Sequence, residues 1–148
     1  MCSLIIPKEY ITIFNTDHKE ARMKRDWDVI KELLNEVEPL HQFNGLNLEV
    51  YYMGDRKSDD HSIHKMEMAR LLLDEGYLVG MQGKTIFFGG FTSIHNMRLT
   101  FKGHDLLDKL NDEVLWSRMT KLAKQQGIKI TFGALGTLAT AALQDIFT

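Results

Sequence analysis

A single cysteine, Cys2, stands among 148 residues. That excludes an intrachain disulfide and any structural zinc site built from several thiolates. Proline is nearly absent, with only Pro7 and Pro39, and no stretch rich in Pro, Gly or Ser reads as a linker. Long apolar runs are missing too. The longest uncharged run near the C-terminus, Ile130 to Gln144, carries three threonines and two glycines and is short for a bilayer span. The opening Met1 to Lys8 has too brief an apolar stretch for a signal peptide. No Walker loop is present. The expectation is a cytoplasmic protein in a reducing compartment, with no membrane partner.

Hydrophobic residues make up 44% of the chain and charged residues 26%, an ordinary balance for one globular domain. A chain of this length buries enough surface to fold without covalent staples. The formal charge of −2 hides a split. Residues 26–75 hold five bases and twelve acids, whereas residues 76–144 hold eight bases and four acids. Two stretches lack carboxylates entirely. Gly76 to His104 carries Lys84, Arg98 and Lys102, and Val114 to Gln144 carries Arg118, Lys121, Lys124 and Lys129. The later stretch reads as a solubilising scatter of cations. The earlier one reads equally well as such a scatter or as a basic face.

From Asp26 the pattern is helical, with Trp27, Ile30, Leu33, Leu34 and Val37 on one face. Pro39 disfavours helix at Glu38 and ends it. Leu46, Leu48, Val50 and Tyr52 then alternate with polar residues, as in a half-buried strand. Gly54 to Asp60 is a polar loop, and Asp59 or Asp60 can cap the helix that follows over Ser62 to Glu75. Gly76 suits the residue after that helix, because glycine adopts the left-handed conformation without a Cβ clash. A strand is expected from Tyr77 to Met81, a hairpin tip or extra small hairpin over Gln82 to Ser93, and a strand over Ile94 to Leu99. Thr100 caps a helix through Leu106, Leu107 and Leu110. Asn111 or Asp112 caps the next, which ends at Gly127, and a last helix holds Leu135, Leu138, Ala142, Leu143 and Ile146.

This order predicts an α+β, winged-helix-like domain with a small antiparallel sheet and C-terminal helices. It has one weak point. Gly54 to His61 is barely long enough for the scaffold helix that a winged helix-turn-helix places before its recognition helix. Met23-Lys24-Arg25-Asp26-Trp27-Asp28, Leu72 to Leu78, Arg98 to Asp108, and Asn111 through Trp116 resemble an uncharacterised bacterial and phage family, domain of unknown function 2513. The resemblance runs over about residues 23–147. It implies a winged-helix-like fold and a phage or mobile-element context, and it carries no activity, substrate or catalytic residue with it. Phe101-Lys102 stands where relatives carry Trp-Glu, and Met68 where they tend to carry a histidine. If that histidine acts chemically, its role is missing here.

The resemblance divides the chain into an extension, residues 1–22, and a single domain, residues 23–148. Lys19-Glu20-Ala21 can be encoded as AAG-GAG-GCN, a ribosome-binding sequence at a normal spacing from the Met23 codon. Residues 1–22 are therefore read as translated upstream sequence. The alternative is a genuine extension with a short strand through Ile11, Ile13 and Phe14.

Catalytic chemistry finds little support. His61 and His64 sit three apart beside Asp59 and Asp60, but no third metal ligand is spaced to match, so no metal is expected. His104 with Asp105 and Asp108 could form an acid–base pair, although carboxylates at a helix start ordinarily serve the helix dipole. Cys2 has no positioned base. Gly89-Gly90-Phe91 lacks the strand–glycine–helix context of a phosphate cradle. The expectation is a non-enzyme with no catalytic residue and no cofactor.

Two functional readings remain. In the first, a basic wing of Lys84, His95, Arg98 and Lys102 contacts the phosphates of double-stranded DNA. In the second, the scaffold has lost DNA binding and docks a protein partner. Phe87, Phe88 and Phe91 fit either a stacking or a docking role, or fold back onto the core. The helix over Ser62 to Glu75 opposes DNA binding, because Asp59 and Asp60 at its start repel phosphate. The small residues Gly133, Ala134, Gly136, Ala139, Ala141 and Ala142 permit close helix approach, either within the monomer or across a homodimer seam through the C-terminal helix.

Overall fold

The computed structural model describes residues 26–40, 44–85 and 90–147. Five helices and three strands run in the order α1 (Trp27–Val37), β1 (Leu46–Tyr51), α2 (Asp60–Asp74), β2 (Leu78–Thr85), β3 (Phe91–Leu99), α3 (Phe101–Asn111), α4 (Glu113–Gln125) and α5 (Leu135–Phe147). The fold is α+β, with one antiparallel sheet of strand order β1-β3-β2. The proposed extension and its strand lie outside the described residues.

Local chemistry sets most boundaries. The Asp26 side chain accepts from the N–H groups of Asp28 and Val29 and starts α1. Asp59, rather than Asp60, caps α2, so that helix begins at Asp60 instead of Ser62. Gly76 follows α2 at φ +82°. Thr100 accepts from the Gly103 N–H. Asp112 serves two helices: its N–H donates to the Asp108 carbonyl and its side chain caps α4.

Between β1 and α2 no scaffold helix forms. Instead the Ser58 N–H donates to the Tyr51 carbonyl, and the Tyr51 N–H donates to Ser58 Oγ, closing a tight loop.

The hairpin is longer than the sequence pattern predicts. Gln82 to Ser93 is not all loop: β2 runs on to Thr85 and β3 begins at Phe91. Gly83 is accommodated because Ser93 Oγ stands 2.8 Å from where a Cβ would be. The pattern breaks at Asn96, an extra residue in the central strand. Both ladders shift there, between Leu46 and Leu48 on β1 and between Val79 and Met81 on β2. Asn96 has φ +56°, and its Oδ1 accepts from the Gly45 N–H at 2.8 Å. Its own N–H donates to Asn47 Oδ1 at 2.7 Å. This bulge lets Ile94 and Met97, three apart, both enter the core.

The helices cover one face of the sheet. Ile30, Leu33 and Leu34 of α1, Met66, Met68 and Leu72 of α2, and Leu106 and Leu107 of α3 are buried with Leu78, Ile94 and Met97 of the sheet. Gly103 lets α3 approach the Tyr77 carbonyl, which lies 2.1 Å from a Cβ built there. Trp27 stacks edge-on against both Trp116 and Phe132, with ring centroids 5.3 Å apart in each case, and Phe132 also meets Tyr77 at 5.0 Å. Helix α5 buries Leu135, Leu138, Ala139 and Ala142 beside α4. Some of its small residues thus serve packing within the monomer.

Candidate interaction surface of the hairpin

Cross-strand pairing decides which residues share a face. Val79 pairs with Arg98 and Met81 with His95, all on the face away from the helices. Lys84 takes the register position opposite Thr92, on the other face. Lys102 lies on α3, where its Nζ donates to the Glu75 carbonyl at 2.8 Å and sits 4.4 Å from the Tyr77 ring centroid. The four cations grouped by sequence are therefore split. His95 and Arg98 share a face, Lys84 occupies the opposite register, and Lys102 caps the end of α2. Phe87 and Phe88 lie outside the described residues. Phe91 is half-buried and packs on Tyr51 across the sheet at 4.8 Å.

Arg98 is half-buried, and its Nε is buried with no hydrogen-bond partner among the described residues. Exposed apolar side chains missed by the sequence reading lie on this face and just beyond the strand. Met81 is 70% exposed and Val79 40% exposed. Phe101, two residues beyond the end of β3's core register, is 92% exposed. The available signal was that Val79 and Met81 alternate with the glycine and glutamine of β2.

Three basic side chains of α2 lie against α1. His64 Nε2 lies 3.2 Å from Asp26, His61 Nε2 lies 2.8 Å from Glu32, and Lys65 bonds Glu36 and approaches Glu32 at 3.9 Å. All are drawn onto the acidic side of α1. The two histidines thus act as bridging side chains, and among the described residues no group of three His, Cys, Asp or Glu is placed to hold a metal. Burial raises the Asp26 carboxyl pKa, but bonds from the Val29 N–H, His64 and the Asp28 N–H overcome this and hold it below its ordinary value. Asp59 is lowered as well, chiefly by the Ser62 N–H. Burial, then the nearby Glu75 carboxylate, pushes the Tyr77 phenol up. His104 Nδ1 lies 3.9 Å from Glu38, a third histidine aimed at α1. A recess of about 390 Å³ on α4 is lined by Glu113, Val114, Ser117, Arg118 and Lys121. Arg118 there also pairs with Asp145 at 3.0 Å. No described helix is long and apolar enough to cross a membrane.

These features define a small α+β domain whose helices back a three-stranded antiparallel sheet with a projecting hairpin. The chain belongs to the family described as "Hypothetical protein (DUF2513)", whose model matches residues 24–129. It is also 24% identical over 129 residues to a Haemophilus influenzae protein described as an uncharacterized protein, covering 84% of this chain and 98% of that one. No solved structure matches significantly.

Proposed function

We propose that the protein is a non-enzymatic interaction module of the cytoplasm, built on a degenerate winged-helix scaffold, whose hairpin docks another protein. One observation carries this reading: Val79 and Met81 stand exposed on the helix-free face of the sheet. Two others support it. The helix that would enter a major groove has Asp59 and Asp60 at its start, and three of its basic side chains, His61, His64 and Lys65, are engaged with α1. Such a helix repels phosphate and has few free side chains to read bases.

A second reading keeps double-stranded DNA as the ligand, held by the hairpin alone. The acid-free stretch from Gly76 to His104 and the unpartnered Arg98 Nε favour it. One pair of measurements separates the two. The full chain is titrated with a labelled random-sequence duplex across a salt series. In parallel, a photo-crosslinking residue replaces Met81 in the source cell, with one at exposed Val114 as control. Docking predicts a discrete protein adduct at position 81 and no duplex binding even at low salt. Duplex binding that falls steeply with salt and disappears in the Lys84→Ala, Arg98→Ala, Lys102→Ala variant assigns the hairpin to nucleic acid instead.

A further inference from the structure

The two edges of the sheet are not equally protected. Among the described residues, β1 and β2 each pair only with β3, so each has an open edge. Strand β1 is six residues long and carries exposed Glu49 and Asn47. Strand β2 is eight residues long, has no charge before Lys84, contains no proline, and exposes Val79 and Met81. Natural sheets ordinarily guard an edge with charge, proline or brevity, and β2 has little of this. Every second residue of an edge strand turns its N–H and C=O outward, a ready template for another strand.

We propose that the partner binds by adding an extended strand to the edge of β2, and that this strand carries carboxylates. The inference rests on the hairpin being a protein-docking surface. Charge chooses the occupant. Arg98 lies one strand away on the exposed face opposite Val79, and no carboxylate occurs between Gly76 and His104. A second copy of β2 would bring another hairpin without carboxylates and so nothing to complement Arg98. An acidic strand meets Arg98 on the face, apolar contacts at Val79 and Met81, and a main-chain ladder along the edge.

The test uses the full chain and a labelled peptide of alternating valine and glutamate, as long as β2. Its lysine counterpart and a version N-methylated along one edge serve as comparisons. The expected result is that the glutamate peptide binds at least about tenfold tighter than the lysine peptide. N-methylation abolishes that binding, and the peptide slows amide exchange at alternate residues of β2. Met81→Glu, at an exposed position, weakens binding about tenfold while the unfolding transition stays in place. No binding of the glutamate peptide, or equal affinity of the glutamate and lysine peptides, overturns the inference. An unchanged affinity after N-methylation overturns strand addition. A discrete crosslink at position 81 in the same protein would then still support docking on the face, so the two failures are told apart.

Discussion

Asp26 shows how one side chain serves several ends. It caps α1, receives His64 from α2, and offers its own N–H to Met68 Sδ at 3.4 Å. That methionine is fully buried. The Asp26→Ala variant should lose about 1 kcal/mol at neutral pH, the usual value of an N-cap. The acid dependence follows from the lowered carboxyl. Its contribution is fully present above its unfolded value, near 3.8, and is lost as pH falls through the lower folded value. Urea unfolding of both proteins should therefore give stabilities that stay apart from neutral pH down to about 3.8, draw together below it and meet once pH is under the folded value. A constant gap at every pH would refute the assignment.

At the scale of elements, the caps were legible in the sequence because each is a contact within a few residues. Asp59, Thr100 and Asp112 needed no tertiary information, and neither did Gly76 or Gly127. The hairpin was only half legible. Ile94, Met97 and Leu99 do not alternate, because the bulge at Asn96 inserts a residue that no local pattern announces. The face taken by each of Lys84, His95, Arg98 and Lys102 was not legible either, because nearness along the chain says nothing about face. The Asn96→Gly variant keeps the left-handed conformation but loses the bond to the Gly45 N–H, so it should cost about 1 kcal/mol. Deleting Asn96 should be tolerated by the core, because without the extra residue Ile94, Met97 and Leu99 fall at period two on one face; only the bonds to Gly45 and Asn47 are lost. Circular dichroism during heating should show a sharp, slightly earlier transition for both variants, and a broad, non-cooperative loss for the deletion would refute the assignment of Asn96 as the extra residue.

Across the whole molecule, the family match stops at residue 129, but the packing does not. Phe132 bridges Trp27 near the start of α1 and Tyr77 at the start of the hairpin, and α5 closes over α4. Phe132→Ala should cost about 2–3 kcal/mol, less than a fully buried phenylalanine because the ring is partly exposed. It should also shift the emission of Trp27 and Trp116, whose rings meet edge to face. An unchanged emission spectrum together with an unchanged transition would show that the C-terminal helices are not coupled to the rest. The strand order has a further consequence for the order of events during synthesis. β1 has its described partner in β3, whose last residue is Leu99. A nascent chain can wind α1 and α2 as they emerge, but β1 must wait, unpaired, while forty more residues of the chain leave the ribosome (Tyr51 to Phe91). Closure of the sheet is therefore the late, non-local step of folding, and the interval before it is when the chain has most need of a chaperone.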